Sequence, residues 1–591
     1  MSKREFGNLR IDPAENPAVL DTATWDEQAA WRQLRGVKEA DWRALGRAIE
    51  TGRPAPPLAT IEAHTASAAR YNGGVVFLAR LPDAQQVLVS LDEAEAPVGL
   101  GSPFQSATIE TEGRTGSSDS GLRVAAYRTD AETLERLFHE VDGSRGPRAL
   151  GSTPRLGIGC RMTTAIWPSI WGAMHRGGFA SNAIQNSLRE LNVLPDLLEG
   201  KPPKTNYQFS FGTIQEGHTG STFEGLWNEG VLDALKSEHP LTYGADADHI
   251  MVKRSPDGVE RAKHIIDSGR RYTFFTLDVG DILDYAALQA KAPEARAYLE
   301  SHLPDQKSRR EILDFHGRKR TIGGWEYGLS EETAGLLVGK YWRALEALGE
   351  LTAHVRSLKG AVPFDLELSI DENPPEFATC DCLTGPDELV FLVLEAERRG
   401  IPLTHVAPNF GVEKGVDYRC PGGLEELETR MRQLCRIAEE RDLMLDCHSG
   451  DDLSSRTRRV IGKATGGRIH FKVSPYLQVL FADVLHEMYP GRFQFWWDDA
   501  LAWAGREAEA GSEFAIGCLK ELESADDPSP SPHHAVFHHF NFATLGKRDE
   551  VGQFINRERF YTLPDDFYAE YSKRLEDYLC DVADDVFDRK K

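Results

Sequence analysis

This sequence has little of what marks a membrane protein, a disulfide scaffold or a nucleotide enzyme. No apolar run approaches the ~18 residues a transmembrane helix needs, so none is expected. The opening "MSKREFGNLRIDP" is basic but has no apolar stretch behind it, so no secretory signal is expected either. The eight cysteines are scattered and form no CxxC pair; Cys380 and Cys382 make only a CxC. Such spacing suggests neither a disulfide framework nor a zinc ribbon, and a reduced, cytoplasmic location is the default expectation. Positive charge is in deficit, with 68 basic residues against 92 acidic ones and a net charge of −24. A surface of that sign repels phosphate backbones and anionic lipid, so neither nucleic acid nor membrane is an expected partner. The sequence gives no expectation for oligomeric state.

Nucleotide and protease motifs are missing as well. "GIGCRM" (157–162) begins as GxG after an apolar run but lacks the third glycine, so it does not support a dinucleotide fold. No GxxxxGK[ST], GxSxG or HExxH is present. With 591 residues, 41% of them hydrophobic, the chain can build several domains or one large barrel with insertions.

The texture along the chain favours the barrel. Residues 1–60 read as polar helix, and from about 68 to 130 short strands alternate with Gly/Ser turns such as "EGRTGSSDSG" (112–121). Together they make an N-terminal α+β region over 1–150. Between 154 and 480, eight short apolar runs recur, most of them followed by a helical stretch. They are "RLGIGC" (155–160), "GGFASNAIQ" (177–185), "TYGADADHI" (242–250), "YTFFTLDVG" (272–280), "FDLELSIDE" (364–372), "LTHVAPNF" (403–410), "LMLDCHSG" (443–450) and "RIHFKVS" (468–474). Eight alternations predict an α/β fold, a (β/α)8 TIM-type barrel over 151–500, with a helical insertion at about 282–360. A doubly wound open sheet is the alternative. Residues 501–591 read as a C-terminal helical extension contributing to the site.

Polar residues fall at the C-terminal ends of these runs, where active sites of such barrels are built. Strand alternation places Glu367, Ser369 and Asp371 on one face, Asp446 and His448 on another, and His470, Lys472 and Ser474 on a third. In "YGADADHI" the small Ala245 and Ala247 face the helices while Asp246 and Asp248 face inward, and His249 ends the strand. A barrel lined only for stability would carry Val, Ile and Leu there. A single inward histidine is more often a hydrogen-bonded core residue than a ligand. Three at strand ends, His249, His448 and His470, with Asp371 or Asp248 nearby, favour a divalent ion such as Zn, Mn, Ni or Co. Lys472 is expected to clamp substrate or act as an acid, against the plainer reading of an ion pair with Asp446. In "HHAVFHHF" (533–540) one histidine is expected to reach the site, and "FQFWWDD" (493–499) to be core or pocket wall.

Several segments together resemble the tagaturonate epimerase family. They are "GADADHI", "YTFFTLDVGD", "LSIDE", "APNFGVEKGVDY", "HSGDD" and "HFKVSPYL", in that order, with "QNSLREL" and "HHFNFATL" also similar. The resemblance implies a metal-dependent epimerase of a keto sugar acid that interconverts tagaturonate and fructuronate by inverting one hydroxyl-bearing carbon. It implies that His249, Asp371, His448 and His470 lie in the active site. Gln185, Lys414, Asp417, Lys472 and His539 join them, and Asp451 of "HSGDD" is an expected substrate contact. The chain is a divergent member by this comparison. Asn409 stands where the family has an arginine placed to grip a carboxylate, and Met162-Thr163 replaces a Gly-His pair. Chemically, Asp246 or Asp371 would move the hydroxyl proton while a metal acts as Lewis acid. The partner expected is a small-molecule sugar or sugar acid. A sugar isomerase or aldolase on the same barrel, and a non-catalytic carbohydrate-binding relative, are the other readings.

Overall fold

The computed structural model describes residues 4–6, 9–11, 26–53, 56–83, 85–92, 99–109, 122–202, 205–208, 212–373, 377–550 and 554–588. The turn-rich stretch at 112–121 and much of the first 25 residues lie outside them, as does the side chain of Thr163.

All eight apolar runs are strands, and they close into one parallel barrel. In chain order they are β1 (Arg155–Gly159), β2 (Ala180–Asn186), β3 (Tyr243–Met251), β4 (Phe274–Asp278), β5 (Asp365–Ser369), β6 (His405–Ala407), β7 (Met444–Cys447) and β8 (Ile469–Val473). Each pairs with its neighbours in sequence, and β8 closes onto β1 through His470 opposite Arg155 and Lys472 opposite Gly157. The outward rows are apolar and buried under helices: Ala245 and Ala247 on β3, Leu366 and Leu368 on β5, Phe471 and Val473 on β8. Burial of both faces is what a parallel sheet requires.

A five-stranded antiparallel sheet precedes the barrel, and its alternation serves two cores at once. On the strand Gly74–Arg80, Val75, Phe77 and Ala79 pack against the helices Glu27–Leu34 and Glu39–Thr51, while Val76 and Leu78 join the barrel's own core. Between β4 and β5 the chain inserts helices Ala292–His302 and Gln306–His316, a two-stranded hairpin, and the 29-residue helix Glu331–Lys359. The helix Asp565–Val586 returns to the barrel wall, where Gly172 and Gly462 admit it closely. A Cβ on Gly172 would lie 2.7 Å from Glu576, and one on Gly462 would lie 2.6 Å from the carbonyl of Asp585. Phe493, Trp496 and Trp497 of "FQFWWDD" are core residues of the helix Pro490–Glu509.

One expectation is overturned. Cys380 and Cys420 form a disulfide, which ties the loop after β5 to the loop after β6. The CxC spacing gave no hint of it, because the partner lies 40 residues on and only the barrel brings the two loops together.

The barrel floor is held by charge. Arg155 on β1 reaches Asp365 on the opposite strand β5 at 3.1 Å, and Asp365 also accepts from the backbone N–H groups of Leu150 and Gly151. At the end of the long insertion helix, Lys359 donates to the carbonyls of Arg270 and Tyr272, at 3.0 and 2.8 Å, just before β4. Burial lowers this ammonium to about 8 from an ordinary 10.5. A basic group depressed in the folded state costs stability below its folded pKa, and the cost is gone above its unfolded pKa. Wild type should therefore gain on a Lys359→Met variant between pH 8 and 10.5, by roughly 3 kcal/mol in all. Paired denaturation midpoints across that range check it, and a difference independent of pH would contradict the assignment.

Candidate active site

The inward side chains of the strands stack in three layers. The lowest contains Arg155, Phe274, His405 and His470. The Phe274 ring packs edge-on against both imidazoles, with centroids at 4.8 and 5.1 Å. His470 Nδ1 lies 2.9 Å from Asp446. Burial first, then the nearby Lys472 and Arg155 cations, hold His470 well below the ordinary histidine range.

The middle layer is organised by Lys472. Its ammonium lies 2.8 Å from Glu367, 2.9 Å from Asp248 and 3.1 Å from Asp246, and donates to Thr276 at 2.8 Å. Its ion pairs are therefore with these three acids; Asp446 pairs with His470. Burial pushes the ammonium down, but Asp246, Asp248 and Glu367 outweigh it and keep the group well above its ordinary value. Asp246 goes the other way: burial raises it to about 7 against the pull of Lys472. Two glycines make room for this layer. A Cβ on Gly157 would lie 2.8 Å from the Lys472 side chain, and one on Gly159 would lie within 2.4 Å of Ser474.

The top layer is the mouth. The pairing of β3 with β4 slips in register between Ala247 and Ile250, so Asp248 and His249 form a bulge. His249 sits at φ +43°, a left-handed conformation that costs a non-glycine residue about 1 kcal/mol or more. The strain turns its ring toward the mouth, where Nδ1 lies 2.9 Å from Asp278. Its ring centroid is 4.7 Å from that of His448. His448 bridges two carboxylates, with Nε2 at 2.8 Å from Glu367 and Nδ1 at 3.1 Å from Asp371. Burial pushes His448 down, yet Asp371 and Glu367 hold it up at about 10. Glu372 accepts from Lys414 at 2.9 Å and from Arg189 at 3.1 Å. Burial raises Glu372, but these two cations keep it well below the usual carboxylate range.

A small cleft opens above Lys472, lined by Gln185, Asp248, His249, Lys414, His448 and Asp451 among others. Of the residues expected from sequence, those six and Lys472 come together there. Asp246 lies beneath Lys472, and Asp371 stands behind His448. His470 is in the lowest layer, apart from the other two histidines. Asn409 turns into its own loop, accepting from the N–H of Gly411 at 2.8 Å. Asp417 also serves a loop, accepting from Ser454 N–H and the Thr457 hydroxyl. His539 packs on Gly415 and His538 faces Asp452 at 3.6 Å, so two histidines of "HHAVFHHF" approach the site, while His533 pairs with Asp483 outside it.

Three groups of histidine and carboxylate among the described residues bring their ligand atoms within 4.8 Å of one another. They are His249–Asp278–Glu372, Glu367–Asp446–His448 and His405–Asp446–His470. The first is at the mouth, and its one imidazole with two carboxylates suits a divalent cation. Asp278 escaped a search led by histidines although it ends the inward row of "FFTLD", and Glu372 escaped it because it lies past the end of β5, where alternation no longer reports direction.

This arrangement can be set beside known proteins. Residues 209–487 match the tagaturonate epimerase family. The matched range contains β3 to β8. Crystal structures of fructuronate-tagaturonate epimerase UxaE from Cohnella laeviribosi share the fold. One with a single glycerol bound has 17% identity and a TM-score of 0.65, covering 91% of this chain and 98% of that one. The native form has 18% identity and a TM-score of 0.64, covering 89% and 97%. No curated protein matches the chain in sequence.

If the mouth group holds the ion, His249→Ala should weaken Mn or Zn binding by at least about tenfold, as loss of one ligand or its orienting partner does. His470→Ala should leave metal binding unchanged while lowering the melting temperature. Calorimetric titration of the two variants separates the groups. Equal loss of affinity in both would return His470 to the ligand set.

Proposed function

We propose that the chain is a metal-dependent epimerase of a keto sugar acid of the tagaturonate/fructuronate type, inverting one hydroxyl-bearing carbon. The observation that carries this reading is the mouth itself: His249, strained toward Asp278 and Glu372, opens on a cleft that also holds Asp248, His448 and Lys472. The matched family supports it. The donor set suits Zn, Mn, Ni or Co, with His249, Asp278 and Glu372 as ligands, and such an ion when bound would polarise the keto and neighbouring hydroxyl oxygens.

The chain's own groups do the rest. The hydrogen next-but-one to a ketone is not acidic, so simple proton removal cannot invert that carbon. Cleavage of the adjacent carbon–carbon bond can, if the hydroxyl proton is taken, the aldehyde fragment turns, and the bond re-forms on the other face. Asp248 is the carboxylate in the cleft able to take that proton and return it. Lys472, beside it, holds Asp248 ionised and faces the oxygen whose charge develops. Asp246 acts beneath, through Lys472, since it does not line the cleft. The cations Lys414 and Arg161 on the cleft wall receive the acid end in the absence of an arginine at 409. A cytoplasmic location belongs to the same reading.

Hexuronate ketoses and neutral ketohexoses, incubated with each metal, test the proposal. A sugar acid should be converted to its epimer with the carbon skeleton retained and no deuterium gained from heavy water. Lys472→Met should lower kcat/KM by roughly 10³-fold or more, the scale of losing a charge-stabilising group. Metal binding without turnover of any sugar acid would refute the activity.

A further inference from the structure

The loop after β6 carries Lys414 at its tip, and that tip is fixed from outside its own strand. The next residue, Gly415, gives its backbone N–H to the Asp452 carboxylate at 2.7 Å. Asp452 belongs to the short turn Gly450–Asp452 after β7, and its side chain is 8% exposed. Burial raises this carboxyl to about 6 against the pull of the Gly415 N–H, Arg161 and Lys414, so it is ionised above neutral pH. A hydrogen bond from an amide to an ionised carboxylate is about twice as strong as one between neutral groups. On its other side Asp452 faces His538 of the helix Ala535–Phe540 at 3.6 Å. Burial lowers His538 to about 4, so that imidazole is neutral and does not cancel the charge on Asp452.

The contact admits only glycine at 415. Its φ is +80°, where a side chain is strained, and a Cβ there would lie 3.0 Å from His539 Nε2. Three parts of the chain thus meet at one peptide: the β6 loop, the β7 turn and the C-terminal helix. The same tip directs Lys414 across the mouth, where its ammonium lies 2.9 Å from Glu372 and the residue lines the cleft. A lysine head on its flexible four-carbon stem points only as well as its backbone is held. Misplacing a binding group by about 1 Å can cost roughly 10²-fold in rate. Asp452 does not line the cleft itself, so its influence passes through the loop.

We propose that Asp452 is a positioning residue for the acid end of the substrate: it holds the Gly415 peptide so that the Lys414 ammonium meets the carboxylate of the keto sugar acid. Its effect falls on affinity for the acid group and leaves the bond-breaking step to Asp248 and Lys472. The inference rests on the sugar-acid reading for the ligand of Lys414. The coupling from Asp452 through Gly415 to Lys414 is measurable without turnover.

A double-mutant cycle on the metal-loaded enzyme tests this, with Asp452→Ala, Lys414→Met and the pair. It is read by kinetics and by calorimetric binding of a six-carbon aldonate, which carries the carboxylate but no keto group. Asp452→Ala should raise KM for the keto acid, and the aldonate dissociation constant, by roughly ten- to a hundredfold, with kcat within a few fold of wild type. Affinity for a neutral ketohexose should not change. In the Lys414→Met background, Asp452→Ala should add less than about twofold, because residues that act through one another are not additive. Asp452→Asn keeps an oxygen for the Gly415 N–H and should recover most of the loss; it also serves where the alanine variant does not fold. Losses that multiply in the double variant, or equal losses for the aldonate and the neutral sugar, would show that Asp452 only stabilises the fold. Either would overturn the inference and leave the epimerase reading standing. A coupled loss of aldonate binding, in a protein inert toward every keto acid, would support the positioning role and overturn the activity.

Discussion

One ammonium group makes this barrel possible. Asp246, Asp248 and Glu367 all point into a closed ring of strands, where ionised carboxylates would repel one another with little water to screen them. Lys472 touches all three from β8, so the acids of β3 and β5 are held by a charge on the far side of the ring. The pairing is mutual: burial would strip the lysine of its proton, and the acids keep it on. Breaking such a buried set by removing one partner typically costs about 3–5 kcal/mol. Gly157 follows in part, since the space a side chain would fill there is occupied by Gln185, His470 and Lys472 together. The bulge at Asp248 and His249 follows in part as well, because it turns Asp248 to the lysine and leaves the histidine at the rim.

Much of this was legible in the sequence, for a simple reason. A parallel barrel strand is short, apolar outside and aimed at the mouth by its C-terminal end, so period-two alternation reports directly which side chains share the interior. The eight strands, the inward rows of Glu367–Asp371 and His470–Ser474, and the inward aspartates of "YGADADHI" could be read that way. What alternation cannot report is height. His448 and His470 lie on neighbouring strands and both face inward, yet the stagger of the barrel puts one at the mouth and the other on the floor beside Arg155. Loop residues were less legible still. Asn409 and Asp417 have the right chemistry for substrate, but each hydrogen-bonds within or between loops, and only coordinates reveal that competition. The disulfide between Cys380 and Cys420 is of the same kind, set by where two loops meet.

Read upward, the barrel grades from paired charge to strain. On the floor, the Asp365 carboxylate holds the Arg155 guanidinium and two backbone N–H groups. In the middle, Lys472 is saturated by four oxygens. At the rim, strain appears at His249 and the Nε of Arg189 is left without a partner. A fold optimised only for stability would close these last positions, since each costs free energy in the unliganded protein. That the strain is kept where the cleft lies points to function there. The deep charges fix the shape of the ring, and the shallow ones are left for something to bind. On this view the acidic cage serves the mouth: the middle layer makes the ring rigid enough that His249 can be held in a strained conformation over the cleft rather than relaxing away from it.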